Sequence, residues 1–398
     1  MSAARPLRVR WLAWGDETGG VATALLSNAA LLRQRGHAVG LLHFEDGALS
    51  AEAARRGLAT ERIAHDAGSH AHYLAPGFSP RGVLRRLAVM RRLRPALRQA
   101  LSAAPPDLLC TPWPDWLPLL GAVGREQGVG VVLEMPNTPS RYPLDLNQRA
   151  YAWAVRRWRV LLLANSDYSA RHLARVPGVQ VLPPGLDASR FDPGRVRPLS
   201  RAELGVPEDA ILLGLIARLD PSKGADLLLR ALADLPAEAG RPPLHLLLVG
   251  GPLDSDYAQA LRAQVESLGL CGRVHWTGPV PDPERYWPAC DLAVNARRDA
   301  EPFGLSIIEA MLMAKPVLAH ALGAPADTVR EGGTGWLYHR PEAEALGAAL
   351  QRALAARAQW PAMGAQARAE TLAEYAADAV AERYEQLLRR HALAGSEA

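Results

Sequence analysis

Short apolar runs alternate with longer amphipathic segments along most of the chain. This alternation is typical of parallel α/β units, in which a helix follows each buried strand. In the first half of the chain, strands are predicted at residues 7–14, 38–44, 107–111, 130–135, 160–164 and 179–182. Helices are predicted there at residues 20–35, 83–103, 117–126, 145–157 and 167–175.

A second series of the same kind fills the rest of the chain, after a connector rich in proline and glycine at residues 183–198. Its strands are predicted at residues 211–217, 245–250, 274–277, 292–295 and 317–319. Its helices are predicted at residues 225–235, 256–268 and 305–314, with two alanine-rich helices that begin near residues 342 and 365. We therefore predict an α/β fold of two similar open sheets that face each other across a cleft. Ligands of such sheets bind at the carboxyl ends of the strands.

The composition supports a soluble protein of two domains. A length of 398 residues exceeds one ordinary domain, and 49% hydrophobic with 22% charged residues is typical of globular chains. The sequence has no run of about 18 apolar residues, so we predict no transmembrane helix. The apolar stretch after Arg10 is short and unlike a signal peptide. Three widely spaced cysteines fit neither disulfides nor zinc, so we expect reduced thiols in the cytoplasm.

The net charge of +4 owes much to residues 81–98, where seven arginines alternate with apolar residues. The apolar positions share one helical face, so we predict an amphipathic helix, which Pro95 is expected to kink or interrupt. Such a helix either makes a peripheral contact with the inner membrane face or packs, solvated, on its own domain, and the sequence leaves both open. No nucleic-acid partner is expected, because the stretch lacks interleaved aromatic residues.

Residues 299–310 are the most informative segment and contain two glutamates eight residues apart. Glu301 is predicted in a loop, and Glu309 inside the apolar helix that follows. Between them, the amides of Gly304 and Leu305 are predicted at a helix N-terminus, where a phosphate binds. The alternative is a loop acid and a solvated helix glutamate, but a carboxylate in so apolar a helix is costly without a partner. The pattern therefore predicts a site for a sugar joined to a nucleotide by a diphosphate.

Two further loops carry candidate residues, and each follows the first predicted strand of one series. Gly19 and Gly20 open the first predicted helix and let a ligand approach the backbone closely, although tight-turn geometry alone also explains them. Arg218 and Lys223 bracket the turn after the strand at residues 211–217. Two cations at that position suit a diphosphate leaving group, and the alternative is a pair of surface cations.

A third loop begins at Val280 and follows the strand at residues 274–277. Its backbone is a candidate edge for a nucleobase, although proline-rich loops of this kind are common.

Together these segments resemble the retaining glycosyltransferases of family 4, which have the GT-B fold of two Rossmann-like domains. The resemblance covers nearly the whole chain and is strongest over residues 211–338, where an Arg-x4-Lys pair and a Glu-x7-Glu motif match. It implies an acceptor-binding domain at residues 1–185 and a donor-binding domain at residues 186–375. A last helix, within residues 376–398, is implied to cross back onto the first domain.

The resemblance also assigns roles to individual residues. Arg218 and Lys223 are implied to hold the donor diphosphate, Glu301 the donor sugar and Glu309 the ribose. The catalytic residues on this interpretation are Glu301, Arg218, Lys223 and Glu134. The donor-binding residues are Gly19, Gly20, Arg218, Lys223, Val280, Glu301, Phe303, Gly304, Leu305 and Glu309. No metal or other cofactor is expected, because the two cations are able to neutralise the diphosphate.

One departure from the family pattern concerns the first domain. Many members carry a histidine after the strand that corresponds to residues 130–135, and this chain has none there. Either Glu134 or Asn137 fills part of that role, or the chain belongs to a branch without the histidine. A front-face retaining reaction needs no protein nucleophile, since the leaving phosphate is able to take the acceptor proton.

Other first-domain residues carry weaker signals. His70 and His72 are candidates for a metal site, but solvated histidines explain them more simply. Trp113 and Trp116 are candidates for lining an acceptor site or for core packing. Arg141 lies in another loop where we would look for the acceptor.

We therefore predict a cytoplasmic retaining glycosyltransferase that uses a nucleotide-sugar donor and a hydroxyl acceptor in glycan, glycolipid or polysaccharide assembly. One alternative keeps the fold and changes the reaction to that of a nucleotide-sugar epimerase or a sugar phosphorylase. Another alternative is a glycan-binding protein without catalytic activity.

Overall fold

The computed structural model describes residues 5–18, 20–66, 80–138, 145–236 and 240–396. The chain divides into two compact units. Unit 1 comprises Met1–Gly185 together with Ala377–Ala398, and unit 2 comprises Leu186–Ala376. Each unit is built around one parallel sheet, which confirms the predicted α/β class.

The sheet of unit 1 has seven parallel strands in the order β3-β2-β1-β4-β5-β6-β7. The order reverses between β1 and β4, where Trp11 pairs with Cys110. The strands are β1 (Arg8–Ala13), β2 (Ala38–His43), β3 (Ala59–Arg62), β4 (Leu108–Thr111), β5 (Gly130–Met135), β6 (Val160–Ala164) and β7 (Gln180–Val181).

Helices cover both faces of this sheet, because most of its strands are apolar on both sides. One layer, of α3, α4 and α5, packs with Leu109 and Leu133 of the sheet, and the other, of α1, α2 and the last helix, packs with Trp11 and Cys110. The helices along unit 1 are α1 (Gly20–Gln34), α2 (Ala48–Arg55), α3 (Pro80–Ala103), α4 (Leu117–Gln127), α5 (Leu146–Trp158) and α6 (Asp167–Arg171).

Unit 2 repeats this design with six parallel strands in the order β10-β9-β8-β11-β12-β13. Its strands are β8 (Ile211–Ile216), β9 (Leu244–Val249), β10 (Val274–Gly278), β11 (Leu292–Asn295), β12 (Val317–His320) and β13 (Gly335–Tyr338). Its helices are α7 (Ala225–Ala233), α8 (Asp256–Ser267), α9 (Leu305–Leu312), α10 (Pro325–Thr328), α11 (Ala343–Ala355) and α12 (Trp360–Tyr375). The order reverses between β8 and β11, so the loops after these strands meet at one edge of the sheet.

The last helix, α13 (Ala377–Ser396), belongs to unit 1 and is anchored there by a buried polar contact. The phenol of Tyr384 donates to the carboxylate of Glu134 on β5. The indole N–H of Trp11 donates to the other oxygen of that carboxylate at 3.2 Å. Burial raises the pKa of Glu134, although these donors oppose the rise.

Several local predictions were wrong. The predicted helix at residues 167–175 is only α6, and α2, β3 and β13 were not predicted. Of the two outcomes predicted for Pro95, a kink or an interruption, the interruption does not occur, because α3 continues through Pro95. Because Pro95 lies on an exposed face of the helix, the carbonyl that loses its helical partner is able to bond water.

Replacing Tyr384 with phenylalanine is expected to destabilise unit 1. The substitution leaves the buried Glu134 carboxyl with one donor fewer, which typically costs about 1–3 kcal/mol. Urea unfolding followed by tryptophan fluorescence measures this cost. In a Glu134→Gln background the same substitution is expected to cost less, since the two side chains interact directly. An equal cost in both backgrounds would contradict the proposed coupling.

Candidate functional site

The loop after β8 is held against the loop after β11 by close backbone contact. Gly224 has φ +69°, and a Cβ atom there would lie 1.9 Å from the carbonyl oxygen of Ala296. The amide of Arg298 donates to the carbonyl of Ser222 at 2.8 Å. Only glycine permits this approach at position 224, and the approach brings Lys223 next to the β11 loop.

Glu301 lies at the centre of a small ion cluster at this edge of the sheet. Its carboxylate oxygen Oε2 accepts from Arg297 at 3.1 Å and lies 3.8 Å from the Lys223 ammonium. The guanidinium of Arg297 also donates two hydrogen bonds to the carboxylate of Asp299, from Nε to Oδ1 at 2.6 Å and from Nη2 to Oδ2 at 3.2 Å. The residue is only 9% exposed, so its charge requires these cations. Among the described residues, no donor reaches the second oxygen of Glu301, which is therefore available to a ligand.

The backbone of Glu301 is fixed by the loop after β12. Its amide donates to Leu322 at 3.0 Å, and its carbonyl accepts from Ala324 at 2.8 Å. Gly323, at φ +108°, lies so close that a Cβ atom would meet the Glu301 carbonyl oxygen at 2.3 Å. Three loops of unit 2 therefore converge on Glu301, two at its side chain and one at its backbone.

The N-terminus of α9 follows directly and offers unused amide groups. Gly304 caps the helix in the left-handed conformation, at φ +90°. Its carbonyl accepts from the amides of Ile307 and Ile308 at 2.9 and 3.2 Å. Within the described chain, the amides of Gly304, Leu305 and Ser306 have no acceptor. Free amides at the positive end of a helix dipole bind anions, above all phosphate.

Glu309 lies on the same face of α9 as Leu305, one turn further on. Its neighbours Ile308 and Ala310 are fully buried, and burial raises the pKa of Glu309 from its usual 4.5 to about 7. Arg190 opposes this rise and Glu284 adds to it. In the part of the chain that the structure describes, no side chain or amide bonds the Glu309 carboxylate. A half-buried carboxylate without a partner is a candidate ligand-binding group.

The loop after β10 is tied to this region by Arg190. The guanidinium of Arg190 donates to the carbonyl of Pro281 at 2.9 Å and to Glu284 at 3.0 Å. Val280 is half-buried and packs against the apolar core around α9. The phenyl ring of Phe303 is buried against Tyr375, with ring centroids 5.6 Å apart. Phe303 therefore contributes packing, and only its backbone is available to a ligand.

Arg218 does not join the ion cluster around Glu301. Its side chain is 81% exposed and lies 3.6 Å from Asp220, an ion pair at the rim of the site. Arg297, which binds Glu301, and Arg190, which binds the loop after β10, were not predicted from the sequence. The two basic residues just before Asp299 were the only signal for Arg297, and Arg190 lay in a connector with no motif.

In unit 1, the prediction that Glu134 is catalytic is corrected by its position. The carboxylate is buried and both oxygens are engaged, by Tyr384 and Trp11, so it anchors α13. Gly20 begins α1, as its position in the sequence indicated. Trp116 is buried in the core of unit 1. Four other first-domain candidates lie outside the described residues: Gly19, His70, His72 and Arg141.

Among the described residues, no three His, Cys, Asp or Glu side chains converge to hold a metal ion. None of the helices described is both long and apolar enough to cross a lipid bilayer.

Two family models match consecutive parts of the chain. Residues 196–370 match the model of glycosyl transferases group 1, and residues 18–190 match that of glycosyltransferase family 4. The D-inositol 3-phosphate glycosyltransferase of Nocardia farcinica (strain IFM 10152) is 37% identical over 203 residues, 48% of this chain and 44% of the relative. Its namesake from Rhodococcus opacus (strain B4) is 36% identical over 228 residues, 55% and 50% of the two chains. The chain thus spans about half the length of these curated relatives.

Solved structures resemble nearly the whole chain. HepE of Anabaena in complex with UDP aligns with a TM-score of 0.78 over 96% of this chain and 100% of its own, at 23% identity. The sucrose-phosphate synthase of Thermosynechococcus elongatus aligns with a TM-score of 0.71 over 97% and 99% of the two chains, at 22% identity. At these identities the likeness establishes the fold, which is GT-B.

Replacing Glu309 with glutamine is expected to stabilise the protein at high pH. The folded state holds the Glu309 proton up to about pH 7, whereas the unfolded chain releases it near pH 4.5. Stability therefore falls in the wild type as pH rises between these values, by up to about 3 kcal/mol. Urea unfolding at about pH 5 and about pH 8 measures the difference. The variant should gain stability relative to the wild type only at the higher pH, and exposed Glu266→Gln is the control. An equal difference at both pH values would contradict the raised pKa.

Proposed function

Since the chain belongs to the glycosyltransferases of group 1 and family 4, we propose that it is a retaining glycosyltransferase. It moves a sugar from a nucleotide-diphosphate donor to a hydroxyl acceptor, in glycan, glycolipid or polysaccharide assembly. The donor site is the edge of unit 2 formed by the loops after β8, β10, β11 and β12 and by the start of α9.

The unpartnered carboxylate of Glu309 is the observation that carries this proposal. A ribose offers two neighbouring hydroxyl donors, which match the two acceptor oxygens of a carboxylate. Binding compensates a desolvated charge that the free protein leaves without a partner. The neighbouring loop, held by Arg190, then provides an edge for the base at Val280. Complexes of Anabaena HepE with UDP and with UDP-glucose make the uridine series the first to test.

The free amides of α9 form the proposed binding site for the donor diphosphate. Gly304, Leu305 and Ser306 point their N–H groups along the helix dipole toward an anion. Lys223 lies close to this end through its contact with Glu301, and Arg218 adds an exposed charge at the rim. These groups stabilise the negative charge that develops on the leaving diphosphate. We propose that they perform this task without a metal ion.

Glu301 is suited to holding the donor sugar. One of its oxygens is occupied by Arg297 and Lys223, which lowers its strength as a nucleophile, and the other is available to a sugar hydroxyl. This geometry supports a front-face reaction, in which the acceptor attacks on the side of the departing diphosphate. The acceptor proton then passes to the leaving phosphate, and the sugar keeps its anomeric configuration.

We propose that the acceptor is a hydroxyl of a polyol, glycan or lipid-linked sugar. The curated relatives named D-inositol 3-phosphate glycosyltransferase support an acceptor of this chemistry. Unit 1, which matches the family 4 model, is the proposed acceptor domain.

A thermal-shift panel of UDP, GDP, ADP and their common sugar conjugates tests the donor site. A ligand that binds only the native state raises the melting temperature in proportion to the logarithm of its concentration over Kd. We expect one nucleotide series to raise it, and Glu309→Ala to abolish the rise. The control Glu266→Ala, at an exposed position of α8, should retain it. If the nucleotide still raised the melting temperature of Glu309→Ala, its binding site would not include this carboxylate.

Turnover tests the reaction itself. Lys223→Ala and Glu301→Gln are expected to lower kcat by about 100-fold or more, because charge stabilisation and sugar positioning act in the transition state. Lys223→Arg should recover part of the loss, and a chelator should leave the wild type unchanged.

The product of the same assay separates the alternatives. An epimerase releases an altered sugar without acceptor, a phosphorylase requires inorganic phosphate, and a glycan-binding protein gives no product. Normal turnover in both variants would overturn the site assignment, and an inverted anomeric configuration would overturn the retaining mechanism.

A further inference from the structure

The two helix layers of unit 1 differ sharply in charge. Helices α3 and α5 of one layer contain ten arginines and no aspartate or glutamate, and α4 between them adds one arginine and one glutamate. The opposite layer, formed by α1, α2 and α13, has five arginines and four acidic residues. Because α4 packs between α3 and α5, the two basic helices lie on the same side of the sheet.

Most of the exposed arginines on these two helices have no acidic partner in the described chain. Arg86 pairs with Asp115 at 3.3 Å, and Arg94 pairs with Glu126. The exposed arginines without such a partner are Arg85, Arg91, Arg92, Arg98, Arg149, Arg156 and Arg157. A surface of unpaired guanidinium groups attracts anions and binds phosphate in a bidentate manner.

Apolar side chains stand among these arginines. Leu84 and Leu87 on α3 are 67% and 42% exposed, and Leu146 and Trp153 on α5 are 53% and 54% exposed. Four of the seven large hydrophobic residues that are exposed in the described chain therefore lie on this one layer. Scattered exposed leucines are ordinary, but exposed leucine and tryptophan among arginines are typical of membrane-surface helices.

Trp153 is held in its outward position. Its ring meets Trp158 edge to face, with centroids 4.7 Å apart. Trp158 in turn packs on Gly121 of α4, where a Cβ atom would lie 2.3 Å from the indole. Beside Trp153 lies an open groove of about 480 Å³, lined by Arg149, Ala152, Trp153, Arg156, Arg157 and Arg175. An indole at a groove of arginines fits the interface between phosphate headgroups and acyl chains.

We propose that the outer surface of α3 and α5, called here the basic layer, docks on a bilayer that contains anionic lipids. The guanidinium groups bind lipid phosphates, while Trp153 and the exposed leucines enter the headgroup region. A soluble polyanion would satisfy the charges but would leave the apolar side chains in water, which favours the lipid surface. The inference does not rest on the transfer reaction, because docking requires no donor or acceptor.

Co-sedimentation of the full chain with vesicles tests the proposal. Vesicles of phosphatidylcholine mixed with phosphatidylglycerol should bind the protein, and vesicles of phosphatidylcholine alone should not. Added salt should weaken the binding, since screening acts on exposed charges. The proposal would be overturned if the protein bound neither vesicle type, including the case in which it binds heparin but no vesicles.

Two matched variants locate the contact. Arg149→Gln with Arg156→Gln removes two charges from the basic layer, and Arg383→Gln with Arg390→Gln removes two from α13 on the opposite layer. The first variant should bind anionic vesicles roughly tenfold more weakly or worse, and the second should bind like the wild type. Trp153→Ala should also weaken binding, and the loss should persist at high salt. Equal binding by both double variants would refute the role of α5, whatever the outcome of donor-binding assays.

Discussion

The ion cluster around Glu301 is the contact on which the candidate site depends. A carboxylate with so little exposure is stable only beside cations, and Arg297 and Lys223 supply them from two different loops. The loops after β8 and β11 meet only because Gly224 allows their backbones to approach within a distance that a side chain would forbid, and Gly323 allows the same approach of the loop after β12 to Glu301. The parallel sheet brings the loops to one edge, and the two glycines close the remaining gap.

Glu301 and Glu309 illustrate opposite solutions for a carboxylate in an apolar setting. The first is neutralised within the protein, which fixes its position and leaves one oxygen available. The second has no partner in the described chain, and burial raises its pKa to about 7. A group of this kind lowers the stability of the free protein and is retained where a ligand supplies what is missing. Glu301 is therefore suited to positioning a ligand, and Glu309 to recognising one, within a single loop and the helix that follows it.

The sequence predicted much of this arrangement, for identifiable reasons. The ranges of β6 and β11 coincide with the predicted ones, because each is a short apolar run bounded by polar residues. The strand β3 was missed because all four of its residues are exposed, so that only its pairing with β2 defines it. Glu301, Glu309 and Lys223 were found through local spacing. The roles of Arg297 and Glu134 depend on contacts between distant segments, which no local pattern records, and Glu134 was therefore misassigned.

The connectivity of unit 1 has a consequence for biosynthesis. Its sheet is made first, but its helix layer lacks α13 until the whole of unit 2 has been translated. Until then Glu134 has no phenol beside it, and the apolar surface that Val380 and Leu388 later cover faces water. Unit 2 is a continuous segment and is able to fold while the rest is still being synthesised. The ribosome therefore completes the two units in the reverse of the order in which it begins them.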